Sequence, residues 1–155
     1  MVVGRAASGA GARRGGDRRG GRRRRLGAER AAGALWGPPT YPATVEEHDL
    51  APGGDVTYFM TGPEGDKHRG WWRIASVDAP TTLEFTDGFA DADGTPSADM
   101  PTTTTRVTLT ERDGGTRMEM RSAFDTREQM DQLAEMGMED GLREAVGQMD
   151  GLLAG

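Results

Sequence analysis

Toward the end of the chain, Met130, Leu133, Ala134, Met138, Leu142, Ala145, Met149, Leu152 and Leu153 recur at three- and four-residue steps. That spacing lines them along one stripe of a helix, and a striped helix must bury its stripe against another element. Ahead of it, short runs of alternating residues are cut by Gly, Pro and Asp turns, which is the pattern of strands. Strands first and a helix last imply an α+β domain, a helix laid on an antiparallel sheet. The length of 155 residues favours one domain with one core.

The strand segments are 44–50, 56–61, 68–77, 81–87, 102–111 and 116–124. Pro52-Gly53-Gly54-Asp55 and Gly62-Pro63-Glu64-Gly65-Asp66 turn the chain between the first three. Arg112-Asp113-Gly114-Gly115 predicts a tight hairpin between the last two. An acidic loop is expected over 87–101. Asp125 or Thr126 can cap the helix, and Glu128 suits the dipole of its first turn. The helix is expected to run to about Ala154. Gly137, Gly141, Gly147 and Gly151 interrupt it at a cost of about 1 kcal/mol each against alanine, so a bend or a close approach to the sheet is expected.

Composition divides the chain after residue 34. Residues 1–34 hold 10 Arg, 9 Gly and 8 Ala, with Asp17 and Glu29 as their acids, and carry +8. The remainder carries -14, which leaves the chain at -6. The first segment has no aromatic residue and few aliphatic ones, so burial cannot offset its ordering entropy and disorder is expected. Three readings of it are open. Its arginines could pair with nucleic-acid phosphates, though the aromatic residues that stack bases are missing. It could be a targeting peptide, though it lacks a secretory apolar core and the serines of an organellar presequence. Finally, Arg, Gly and Ala have GC-rich codons, so the segment could be a mistranslated or wrongly started stretch. Nucleic acid is a partner only if 1–34 is native.

Several classes of chemistry fall away. The chain has no cysteine and two histidines, His48 and His68, which excludes disulfides and thiolate sites and argues against a multi-histidine metal site. No apolar run approaches the roughly 20 residues that span a bilayer. Asp87, Asp91, Asp93 and Asp99 sit in the expected acidic loop without the downstream bidentate Glu of a calcium loop. His48 lies near Glu46, Glu47 and Asp49, but no nucleophile stands beside it. No catalytic residue, metal or cofactor is therefore expected.

The apolar residues are more informative. Tyr58, Met60, Trp72, Ile74, Phe85, Met118 and Met120 fall on alternate strand positions, so those of one strand share a face. Met130, Met138 and Leu142 lie on the opposing helical stripe. A plain packed core would account for all of them. Nine methionines tilt the balance toward an adaptable apolar cavity, because flexible thioethers suit one. These ten residues are the candidate cavity lining.

Certain blocks also follow one another at familiar spacings. They are Trp36-Gly37-Pro38-Pro39, Asp49-Leu50-Ala51-Pro52-Gly53-Gly54, Met60-Thr61-Gly62-Pro63-Glu64-Gly65 and His68-Arg69-Gly70-Trp71-Trp72. Leu83-Glu84-Phe85-Thr86-Asp87-Gly88-Phe89, Thr108-Leu109-Thr110-Glu111 and Met136-Gly137-Met138-Glu139-Asp140-Gly141 continue the series. Over 35–154 the chain resembles the bacterial branch of the family named for activators of heat-shock-protein-90 ATPase. That family belongs to the START-like, or SRPBCC, helix-grip superfamily.

The resemblance implies a curved antiparallel sheet wrapped around a long C-terminal helix, with an apolar cavity between them. It also implies an opening strand and a helix ending in a Trp-Trp-like pair before Gly-Pro. Here that pair is Leu35-Trp36, and nothing upstream matches, so the first strand and first helix are expected to be missing or mistranslated. An open sheet edge would then favour self-association. The function expected is non-enzymatic, cytoplasmic binding of an apolar small molecule. The alternatives are a chaperone-linked interaction domain and, third, a polyketide cyclase-like or hydrolase-like enzyme.

Overall fold

The computed structural model describes residues 36–154. The expectations placed on 1–34, namely its disorder, its roles and the missing strand and helix, lie outside the described residues. Six strands form one sheet in sequence order: β1 (Ala43–His48), β2 (Asp55–Thr61), β3 (Lys67–Asp78), β4 (Thr82–Ala90), β5 (Thr103–Arg112) and β6 (Gly115–Ala123). Each is antiparallel to the next. Asp113 and Gly114 close the last hairpin at φ 53 and 76, the paired positive angles of a two-residue turn. Register shifts at Val45/Glu47 and Ile74/Ser76 bend their strands.

One strand departs from its expected length. β4 continues past Asp87 to Ala90, pairing Gly88 with Trp71 and Phe89 with Gly70. A Cβ on Gly88 would stand 2.8 Å from the Trp71 ring, so this glycine admits an indole rather than ending the strand. Asp87 is thus a strand residue and not part of the acidic loop.

Register sets which side chains share the inner face. Val56, Trp72, Asp87 and Thr103 form one row across four strands, and Ile74, Phe85, Thr105 and Ser122 form another. Val56, Ile74 and Phe85 are fully buried, with Val45, Trp72, Val77, Leu83 and Val107 packed against them. Burying such a side chain contributes about 1.5–3 kcal/mol. A slip of one residue would turn the whole set to solvent, and this fixes the register.

The C-terminal region is helical in three pieces rather than one: α1 (Arg127–Glu135), α2 (Met138–Gly147) and α3 (Met149–Ala154). Thr126 caps α1, its hydroxyl accepting from the Gln129 amide at 3.2 Å. The break after α1 falls at Gly137, whose φ of 84 lies in the left-handed region that a side chain disfavours. Among the described helical residues Leu133, Ala145 and Val146 are buried, while Met130 and Met136 are exposed.

Candidate functional site

The inner face carries an aromatic cluster built from three elements. Trp36 precedes Gly37-Pro38-Pro39, Tyr58 comes from β2, and Trp72 comes from β3. The Trp36 and Trp72 rings meet edge to face at 4.6 Å, and Tyr58 lies 6.2 and 6.1 Å from them, also edge on. Trp72 stacks on Phe85 at 4.4 Å. Such pairs contribute about 0.5–1.5 kcal/mol each beyond their buried area. The helical end is tied to this corner, since Gln148 Nε2 donates to the Gly37 carbonyl at 2.6 Å.

Gly70 shapes the cluster. It pairs with Tyr58 on one side and Phe89 on the other. A Cβ placed there would stand 2.5 Å from the Tyr58 Cζ and hydroxyl oxygen. The phenol therefore lies across β3 over the glycine, toward β4. Burial pushes its pKa up to about 12, against a downward pull from the nearby Trp36 and Trp72 indoles, with the charge of Asp87 adding to the rise. Both indole Nε1 atoms are buried, and the Tyr58 oxygen is the acceptor toward which their hydrogen bonds are directed.

Asp87 stands directly across from Trp72. Its carboxyl is half-buried, and desolvation raises its pKa from 3.8 to about 6, its own backbone amide giving the one opposing effect. No ion pair or side-chain hydrogen bond engages it among the described residues. Two indoles, a phenol and a half-buried carboxyl thus share a face that is otherwise mostly apolar.

The candidate lining residues are spread over this arrangement. Ile74 and Phe85 belong to its packed floor. Tyr58 and Met118 are buried, whereas Met60, Trp72, Met120, Met138 and Leu142 are half-buried. Met130 differs: at 41% exposure it lies on the open side of α1, one turn from the buried Leu133. Trp71 faces the other way, and its indole donates to the Phe89 carbonyl at 3.0 Å. Sequence reasoning missed Trp36, Gly70 and Asp87. The signal for Asp87 was the alternation Leu83, Phe85, Asp87, which puts all three on one face.

A concavity of about 330 Å³, apart from the indoles, is lined by Glu46, Thr57, Tyr58, Arg69, Gly70, Ala90, Asp93 and Gly94. Arg69 Nη1 donates to Glu46 there at 2.5 Å. Asp93 accepts from the Thr95 amide at 2.9 Å, and this holds its carboxyl below its ordinary pKa. Three or more metal-capable side chains do not cluster anywhere among the described residues. No described helix is long and apolar enough to cross a membrane.

The family model for activator of Hsp90 ATPase homolog 1-like protein matches residues 29–154. The chain belongs to that family. Solved structures agree with it. A Mycobacterium smegmatis protein, Ms6760, is 48% identical at a TM-score of 0.74, over 81% of this chain and 77% of its own. An Arthrobacter aurescens protein is also 48% identical, at a TM-score of 0.77 over 81% and 73%. A Staphylococcus epidermidis protein follows at 26% identity and a TM-score of 0.69, over 79% and 74%. No curated protein matches the chain. The six-stranded antiparallel sheet of this chain, with its C-terminal helices, is the helix-grip fold expected from the sequence.

Proposed function

We propose that this protein is a non-enzymatic, cytoplasmic binder of an apolar small molecule, held between the inner face of the sheet and the C-terminal helices. The aromatic cluster of Trp36, Tyr58, Trp72 and Phe85 on the inner face of the sheet, in a chain of this family, carries the reading. The half-buried Met60, Met120 and Met138 add adaptable thioether surface.

The test is native mass spectrometry of the purified full chain, followed by titration with a fluorescent apolar probe. An apolar adduct is expected, and Trp72→Ala should weaken probe binding far more than Trp71→Ala, because Trp71 serves the opposite face. Equal losses from the two changes, or no probe binding at all, would defeat the proposal. A chaperone-linked interaction is the second reading, favoured by the family description. Retention of heat-shock protein 90 by the full chain, with no small-molecule adduct, would put it first.

A further inference from the structure

We propose that the outer edge of β6 pairs antiparallel with the same edge of a second copy of this chain, joining the two sheets about a two-fold axis at Met120. In the sheet order β6 has β5 on one side and, among the described residues, no strand on the other. The N–H and C=O groups along such a side are a template for a further strand. The two ends of the sheet differ. β1 has six residues, a register shift at Val45/Glu47 and the adjacent acids Glu46 and Glu47, features that blunt an edge. β6 has nine residues and pairs with β5 from Gly115 to Ala123 without a shift, so its other side is long and regular.

The charges on β6 select the partner. Arg117, Glu119 and Arg121 alternate with Met118 and Met120, so the charged side chains stand on the outer face and the thioethers on the inner one. Edge charges of one sign would repel a second copy, but these alternate in sign. With Met120 opposite Met120 of the second copy, each Glu119 falls opposite Arg121 of the other chain, and the two-fold makes that pair twice. Met118 then meets Ser122 on the inner face. A register centred on Met118 would set Arg117 against Glu119 instead and leave Arg121 opposite Gly115. Arg121 decides between the two. Its side chain is 80% exposed, against 41% for Arg117. It also stands opposite Arg106 of β5, a like charge that is unfavourable there. Its Nε donates to its own Glu119 at 2.5 Å, which leaves both Nη groups for a second carboxylate.

The experiment is analytical ultracentrifugation of the full chain over a concentration series at about 0.15 M salt. The Debye length there is about 8 Å, so the net charge of -6 on each chain is largely screened, while charges meeting across paired strands are not. A reversible dimer is expected. Glu119→Arg and Arg121→Glu each set like charges opposite one another twice, so each variant alone should dimerise about ten-fold or more weakly. Mixed in equal amounts the two should recover a dimer of near-native affinity, because the new arginine of one then faces the new glutamate of the other. That recovery also separates lost pairing from lost folding. A native chain that stays monomeric throughout, as it would if residues 1–34 took this edge, would overturn the inference. So would a dimer that neither variant weakens, or weakened variants that fail to recover on mixing.

Discussion

Asp87→Asn should make the protein more stable at neutral pH, and the size of the gain can be worked from the site. Desolvation raises the carboxyl from 3.8 to about 6 in the folded chain. Each pKa unit corresponds to about 1.36 kcal/mol, so the ionised group weakens the fold by up to about 3 kcal/mol. The sign follows from proton counting. Below the unfolded value the carboxyl is protonated in both states and the cost is absent. Between the two values the native state holds more protons than the unfolded one, so stability falls as pH rises. Above about 6 the full cost applies. Asparagine avoids the charge but must desolvate an amide, which returns about 1–2 kcal/mol. A net gain of about 1–2 kcal/mol remains, or about 2–8 °C in Tm for a chain of this size. Circular-dichroism melts of both proteins across a pH series would measure it. The variant should melt higher at about pH 8, with the gap closing toward about pH 4. Other carboxyls titrate alike in both proteins and cancel in the difference. A gap that stays constant across the series, or a variant that melts lower throughout, would refute the account of Asp87 as a desolvated carboxyl.

Three further substitutions probe the architecture around the site. Gly70→Ala puts a Cβ 2.5 Å from the Tyr58 hydroxyl and should cost about 1–3 kcal/mol; a double-mutant cycle with Tyr58→Ala that showed no coupling would contradict the close approach. Gly137→Ala meets no atom within 4 Å but must adopt a φ of 84, so urea unfolding should show a loss of about 1 kcal/mol. Thr126→Ala removes the cap on the Gln129 amide and should cost about 1 kcal/mol by the same measurement.

Much of the fold was legible because its punctuation is local. Asp113-Gly114 needs positive φ at both positions, and the sequence supplies residues that tolerate it, so the hairpin and the strands on either side could be placed. The alternation of Tyr58 with Met60 and of Trp72 with Ile74 likewise fixed which residues share a face within a strand. The misreadings came where one residue type serves two purposes. Gly88 looks like a strand terminator, yet it sits inside β4 because Trp71 needs the space above it. Gly137, Gly141, Gly147 and Gly151 look alike along the C-terminal helix, and a single chain gives no sign that Gly137 is the one at positive φ. Asp87 was read as a loop acid for the same reason as Gly88: the strand was ended too soon.

The site is legible only once strands are paired, because its members come from separate rows of the sheet. Trp72 and Asp87 face each other across β3 and β4, fifteen positions apart in the chain, and the contact exists through register alone. Tyr58 belongs to the neighbouring row. Any side chain at position 70 would stand where its phenol lies, so the absence of one at Gly70 lets it reach across β3. These two facts also separate the site from the core beneath it. Val56, Ile74 and Phe85 would pack equally well under a neutral residue at position 87, and by the pH argument above the fold would gain stability from the exchange. The carboxylate is therefore not explained by packing: opposite Trp72 in register and near enough to the Tyr58 phenol to act on it by charge, it is the one member of this face that the core does not require.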